Sequence, residues 1–253
     1  MLFLSPPVPA APVQTAPVTG QTPAGGTITA LMVEPVDQHH LYHAAALRCA
    51  VFCNEKNWFR PQLHAAGQWV EQDLFDAVAR HFVAVQHLPD GYDQVIATIR
   101  VVPYSAQSGL PTGSVAAGLY GQLEQRGIAL DTVAEVSRLC LAPQFRNHPA
   151  VLTVLLRELY RYSKQVGIGY WVASMEDALC RLLRANAIPF EPLDNTCFDY
   201  FGEVRTYLLG VEQAEACMEQ QREPLFHYFT VPPHLTVIPG HTTQKTQKAL
   251  PVR

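Results

Sequence analysis

Charged side chains interrupt two stretches that otherwise read as buried strand. Glu135 and Arg138 lie within AEVSRLCLAP, and Arg100 lies within QVIATIRVVP. A charge in such a run is costly to bury unless it is paired or hydrogen-bonded, and such positions often carry function. The run Glu71-Gln72-Asp73-Leu74-Phe75-Asp76 supplies further acids. If both stretches are strands of one sheet, Glu135 and the guanidinium groups of Arg100 and Arg138 form a buried network in a polar cleft. Glu135 would accept a proton from an attacking amine or orient it, and the arginines would bind carboxylate or carbonyl oxygens. A purely structural ion-pair network fits the same residues.

Other residues have two readings each. Arg48, Phe52 and Trp58 fit a helix with a solvated arginine and core aromatics, or one side of the same cleft. Glu71, Asp73 and Asp76 also suit a helix start, where acids satisfy free N–H groups. Cys140 follows Glu135-x2-Arg138 closely and could carry an acyl-enzyme, whereas no activating histidine is identifiable for Ser137. His39, His40 and His43 are close in sequence, yet adjacent helical histidines diverge and no partner carboxylate is evident, so no metal is assigned.

The elements that must hold these residues follow from periodicity. TITALMVEP reads as a first strand, and HLYHAAALRCAVFC as a helix with Leu41, Ala45, Cys49 and Phe52 on one face. Residues 54–70 look irregular. HFVAVQHL and QVIATIRVVPY flank Pro89-Asp90-Gly91-Tyr92-Asp93, a hairpin signal. A short helix near 115–126 precedes the strand AEVSRLCLAP, and the loop PQFRNHP leads to the amphipathic helix VLTVLLRELYRYSKQVG, which ends at Gly167. That helix sets Arg157, Arg161 and Lys164 on one face, either solvated or docking an acidic partner. YWVASM is a short buried strand, EDALCRLLRANAI a helix, and FEPL with CFDYFGEVRTYLLGV further strands. A helix near 211–222 and the aromatic segment LFHYFT close the body. This order predicts a mixed-sheet α/β (α+β) domain over 27–230, between a Pro/Ala/Thr-rich arm at 1–26 and a tail at 231–253.

With 253 residues, 48% hydrophobic and 16% charged, the chain can bury a sizeable core. A net charge of -4 gives no case for nucleic-acid binding, and no apolar run is long enough to span a bilayer. The start MLFLSPPVPAAP has no Lys or Arg before its very short apolar part, so a cytoplasmic location is expected. The six cysteines form no C-x-x-C pair and read as thiols rather than a scaffold of disulfides or a zinc site.

Taken together, Arg48-x3-Phe52-x5-Trp58, Asp73-x2-Asp76, Arg100 and Glu135-x2-Arg138 resemble the acyl-homoserine-lactone (autoinducer) synthases and their relatives, the N-acyl amino acid synthases. SRLCLAPQFR, MEDALCRLLRANAIPFEPL and CFDYFGEVRTY look like the acyltransferases associated with PEP-CTERM/exosortase systems. The resemblance implies a GNAT-like αβα sandwich with a splayed central sheet. It also implies transfer of a fatty acyl group from an acyl carrier protein thioester, or acyl-CoA, to a small-molecule amine, with no permanently bound cofactor. Glu135, Arg100 and Arg138 would then be catalytic, and Arg48, Phe52, Trp58, Glu71, Asp73 and Asp76 would line the acceptor side. Leu139, Cys140, Leu141, Phe145 and Arg146 would meet the donor. The loop Gln144–Pro149 lacks the glycines with which ordinary GNAT enzymes hold the coenzyme A pyrophosphate, which fits a carrier-bound pantetheine better. A synthase using S-adenosylmethionine and a catalytically silent carrier-binding module are the alternatives.

Overall fold

Residues 27–231, apart from 66 and 201, are described by a computed structural model. The arm expected at 1–26 and, except for Val231, the tail expected at 231–253 lie outside the described residues. In chain order the elements are β1 (Thr27–Val33), α1 (Gln38–Arg48), a π-helical turn (Cys49–Glu55), β2 (Gln62–Leu63), β3 (Trp69–Val70), β4 (Arg80–His87) and β5 (Asp93–Pro103). There follow α2 (Leu119–Gln125), β6 (Val133–Leu141), α3 (Pro149–Val166), β7 (Tyr170–Met175), α4 (Asp177–Ala185), β8 (Glu191–Asp199), β9 (Glu203–Gly210), α5 (Val211–Gln221) and α6 (Glu223–Thr230). Short 3-10 turns include Leu74–Ala77 and Pro111–Ser114.

Seven strands form one sheet in the order β1-β4-β5-β6-β7-β9-β8. Every neighbouring pair is antiparallel except β6 and β7, so the sheet is mixed. Alternation divides its two faces. Phe82 and Ala84 of β4 and Trp171, Ala173 and Met175 of β7 join the core beneath α3, α4, α5 and α6. Val83 and Val85 pack instead with Ala44 of α1, and Val133, Val172 and Leu208 pack with Leu119 and Leu123 of α2. The helices therefore cover both faces, giving the expected αβα layering. Burying a Val, Leu, Ile or Phe side chain stabilises by about 1.5–3 kcal/mol, so these rows dominate the packing.

α3 starts with Pro149, whose missing N–H is no loss in the first turn, and ends at Gly167 with φ +79°. Its basic positions have partners within the fold. Arg157 is buried, its guanidinium 4.3 Å from the Tyr228 ring, and Lys164 pairs with Glu215 at 2.9 Å. The expected long first helix also changes character: it is α-helical only to Arg48 and then widens into the π-helical turn that carries Phe52.

Two irregularities in the central strands matter most. β6 and β7 pair only at Val133–Glu135 against Tyr170–Val172, after which the strands separate. Opposite the gap, Thr98 pairs with Cys140 and Arg100 with Ser137, so Ile99 faces the two residues Arg138 and Leu139. This β-bulge puts Arg138 at φ +56°, a left-handed conformation that costs a non-glycine residue free energy. In an even strand, Glu135 and Arg138 would point to opposite faces. The bulge instead lets Arg138 reach the acids on the α1 face.

Candidate active site

The loop Glu71–Asp76 folds over the α1 face as an acid clamp. Asp73 caps the 3-10 turn by accepting from Phe75 N at 2.9 Å, while Asp76 Oδ2 accepts from Asp73 N at 2.7 Å. The acids thereby fixed meet three arginines from three elements. Arg100 of β5 donates through Nη1 and Nη2 to the two Asp73 oxygens at 2.7 and 2.8 Å, and through Nη1 to Asp76 at 3.1 Å. Arg48, at the end of α1, donates to both Asp76 oxygens at 2.8 and 3.0 Å, and its Nε lies 2.9 Å from Glu71 Oε2. Arg138 donates to Glu71 at 3.0 Å and to Asp73 at 2.9 Å. Three acids and three arginines thus balance in charge, the condition for burying them. Burial alone would raise the Asp76 carboxyl, but Arg48 and Arg100 outweigh it and hold it at about 2. Asp73 is likewise lowered against its burial by Arg100 and Arg138.

Glu135 is not in this network, contrary to the expectation that it forms one cluster with Arg100 and Arg138. It shares a face with Ser137, the residue that pairs with Arg100, but lies two positions away, or about 7 Å along a strand. Arg100 turns from it toward α1 and the acid clamp, donating to Ser137 Oγ through Nε at 3.1 Å. The Glu135 carboxylate instead accepts the Thr112 N–H at 2.6 Å. Thr112 Oγ1 lies 2.9 Å from Ser174 Oγ of β7, bridging the separated strands. Burial pushes the Glu135 carboxyl up to about 7, against the Thr112 hydrogen bonds and the two arginines. Thr112 had no signal in the sequence, because its contribution begins with a backbone N–H that any non-proline residue has.

The gap between β6 and β7 opens into a cavity of about 310 Å³. Phe52, Trp58 and Phe59 line it from the α1 side, Leu156 and Leu183 from the α3 side, so it passes through the sheet. Glu135, Ser137, Arg138 and Leu139 of β6 form one wall. Phe52 and Trp58 stack at 5.8 Å and 14°, and the Arg138 guanidinium lies 4.2 Å from the Phe59 ring. Phe59, Tyr200 and Val204 were not anticipated, since aromatic and β-branched residues read equally as core. A second cavity, of about 480 Å³, is lined by Tyr42, Arg48, Gln62, His64, Asp73 and Asp76.

Of the acceptor-side residues expected from the sequence, Phe52 and Trp58 line the first cavity and Arg48, Asp73 and Asp76 the second, while Glu71 is 2% exposed beneath them. Of the donor-side residues, Leu139 alone lines the first cavity. Cys140 turns toward Val51 and Phe52, its thiol pushed by burial up to about 12, which removes the thiolate a nucleophile needs. Leu141 pairs with Ala97, Phe145 is core, and Arg146 binds Glu55 with both terminal nitrogens, at 2.9 and 2.5 Å. Beside the histidines there is a carboxylate after all. Asp37 caps α1, and Asp37, His39 and His40 offer ligand atoms within 4.8 Å of one another. All six cysteines are free thiols. No helix among the described residues is long and apolar enough to cross a membrane.

Residues 47–156 match the family described as Acetyltransferase (GNAT) domain. The chain is similar in structure to FeeM, an N-acyl amino acid synthase from uncultured soil microbes, at 15% identity and a TM-score of 0.55, covering 76% of this chain and 94% of that one. It is also similar to BjaI, a CoA-dependent acyl-homoserine lactone synthase, at 18% identity and a TM-score of 0.55 over 78% of this chain and 89% of that one. A third similar structure is the acyl-homoserine lactone synthase LasI, at 14% identity and a TM-score of 0.56 over 76% and 94%. No curated protein sequence matches the chain. The mixed sheet with its central gap is the GNAT fold, and the matched acetyltransferase domain runs through it from the end of α1 into α3.

Proposed function

We propose that the chain moves a fatty acyl group from a carrier-protein or CoA thioester to the amine of an amino acid or a similar small acceptor. One observation carries this reading: a buried carboxyl that titrates at about 7 stands on the wall of a cavity that crosses the sheet and becomes apolar on the far side. A base with that proton affinity is half-ionised near neutrality, the range where general-base catalysis is most efficient.

In this mechanism Glu135 takes a proton from the acceptor ammonium, directly or through water. The freed amine attacks the thioester carbonyl carbon, and its C–O double bond opens to an oxyanion. Backbone N–H groups along the unpaired edge of β6 past Glu135, near Leu139, would stabilise that oxyanion. That attack forms the C–N bond, and collapse of the intermediate restores the C–O double bond and breaks the C–S bond. The departing thiolate takes up the second amine proton. Arg138, on the cavity wall, is in place for an acceptor carboxylate, and Phe52 and Trp58 offer it an apolar surface. Arg48 and Arg100 act indirectly, by fixing the acid clamp that orients Arg138. The glycine-free loop at Gln144–Pro149, with Arg146 held by Glu55, favours a carrier-bound donor over free acyl-CoA.

The test is to incubate the protein with acyl-carrier or acyl-CoA donors and either amino acids or S-adenosylmethionine, and to identify products by mass spectrometry. An N-acyl amino acid is expected. A lactone would assign the chain to the S-adenosylmethionine-dependent reaction, and tight carrier binding without product would make it a silent module.

A further inference from the structure

The apolar end of the cavity has one feature that a simple greasy pocket does not need. Ile99, Leu156, Trp171, Leu183 and Phe190 line its apolar wall, each at most 4% exposed. Trp171 is the largest of them. Its indole N–H donates to Ser163 Oγ of α3 at 2.8 Å, and that hydroxyl in turn donates to Leu159 O at 2.8 Å. Ser163 is fully buried and does not line the cavity.

The rest of this wall is aliphatic or phenyl, with no polar side-chain atom. Such side chains can change rotamer for an entering chain at the cost of packing alone. The indole cannot, because turning it would leave a buried N–H donor without an acceptor. One wall position is therefore rigid where its neighbours are compliant, and it is rigid through a contact made outside the cavity.

We infer that Trp171, locked by Ser163, is the stop that sets how long an acyl chain the enzyme accepts. The inference rests on the acyl-transfer reading above. Trp171 touches the substrate's terminal carbons, and Ser163 is a positioning residue acting through it. An apolar chain entering from the gap gains about fourfold in affinity for each methylene it buries. The gain ends where the terminal methyl meets the indole face, since further carbons have no space beyond it.

The measurement is calorimetric binding of straight-chain S-alkyl pantetheine thioethers of increasing length, which bind but cannot transfer, alongside competitive acyl transfer from mixed donors. Wild type should tighten by about fourfold per methylene and then break at a definite length. Trp171→Leu should move the break to longer chains. Ser163→Ala should blur it, with chains beyond the break binding more tightly and shorter ones unchanged, while Ser163→Thr, which keeps the hydroxyl, restores a sharp break. Trp171→Phe keeps an aromatic ring without the N–H and guards against misfolding; it too should shift the break. An unmoved break in both Trp171 variants, each melting cooperatively, overturns the inference, as does a wild-type series without any break. A Ser163→Ala variant that melts lower but keeps the same length profile reduces that hydroxyl to a structural role and overturns the lock. If wild type binds no thioether and transfers no acyl group, the acyl-transfer reading itself has failed, a result separate from a bound series with no break.

Discussion

A carboxyl enclosed in protein and given only a few hydrogen bonds keeps its proton to higher pH than one in water. Glu135 is such a group, raised from 4.5 to about 7 by burial against the pull of Thr112 and the arginines. Two effects of opposite sign follow. The rate of acyl transfer should rise through about pH 7 as the base ionises. Stability should fall over the same span: between 4.5 and 7 the folded state holds a proton that the unfolded chain has released, so each rise in pH favours unfolding. Glu135→Gln should lower transfer by about 10²- to 10⁴-fold while removing that slope, making the variant the more stable of the two at pH 8. Denaturant midpoints at pH 5 and pH 8, read beside the pH–rate profile, check both; a wild-type rate that is flat across neutrality would falsify the base assignment. Residue types and order at this site were legible in the sequence, because charges in apolar runs stand out. Pairing was not, since the arginines' partners depend on how a loop 24–27 residues from Arg100 folds over α1.

Among the elements, the hairpin of β4 and β5 and the amphipathic α3 carry period and turn signals strong enough to be seen in advance. The bulge in β6 does not. Bulges of this kind favour glycine at the left-handed position, whereas here Arg138 occupies it and ion pairs hold it there. Side-chain loss and backbone strain can therefore be separated by substitution. Arg138→Gly and Arg138→Val both lose the ion pairs, but only glycine relaxes at φ +56°. The valine variant should be less stable than the glycine variant by about 1–2 kcal/mol, the cost of a left-handed L-residue. Urea denaturation would show this directly, and equal midpoints would mean that the strand rearranges once the charge is gone. Both variants should lose transfer activity, because each removes the link between Glu71 and Asp73.

Across the whole molecule, a mixed-sheet α/β domain was legible from helices alternating with strands, and the αβα layering followed from the family resemblance. The end of the described fold was not. LFHYFT lacks a clear period, although Pro224 next to Glu223 at the start of α6 is a helix-start signal in hindsight. α6 lies against α3, where the Tyr160 and Phe229 rings meet at 5.6 Å. Arg157 donates to the Val231 carbonyl at 3.0 Å and stacks on Tyr228. The basic face of α3 is thus used for internal assembly, and α6 is an integral part of the body. Ending the chain at Arg222 would strip Tyr228 and the Val231 carbonyl from a guanidinium that is 1% exposed. Losing a hydrogen bond to a charged group costs about 1.5–3 kcal/mol, uncovering the side chains around Phe229 costs a similar amount, and for a domain of this size each kcal/mol lowers the melting temperature by about 2–4 °C. The shortened chain should therefore melt about 10 °C or more below the full one. Part of that loss comes from the uncovered apolar surface around Phe229 and part from the stranded charge, and a second substitution divides them. In the shortened chain, Arg157→Leu should raise the melting temperature, because it replaces a guanidinium that has lost its contacts with Tyr228 and the Val231 carbonyl by an apolar side chain. In the full chain the same change should be neutral or destabilising. If Arg157→Leu shifts both backgrounds equally, the guanidinium is not what anchors α6, and the apolar contact alone accounts for it.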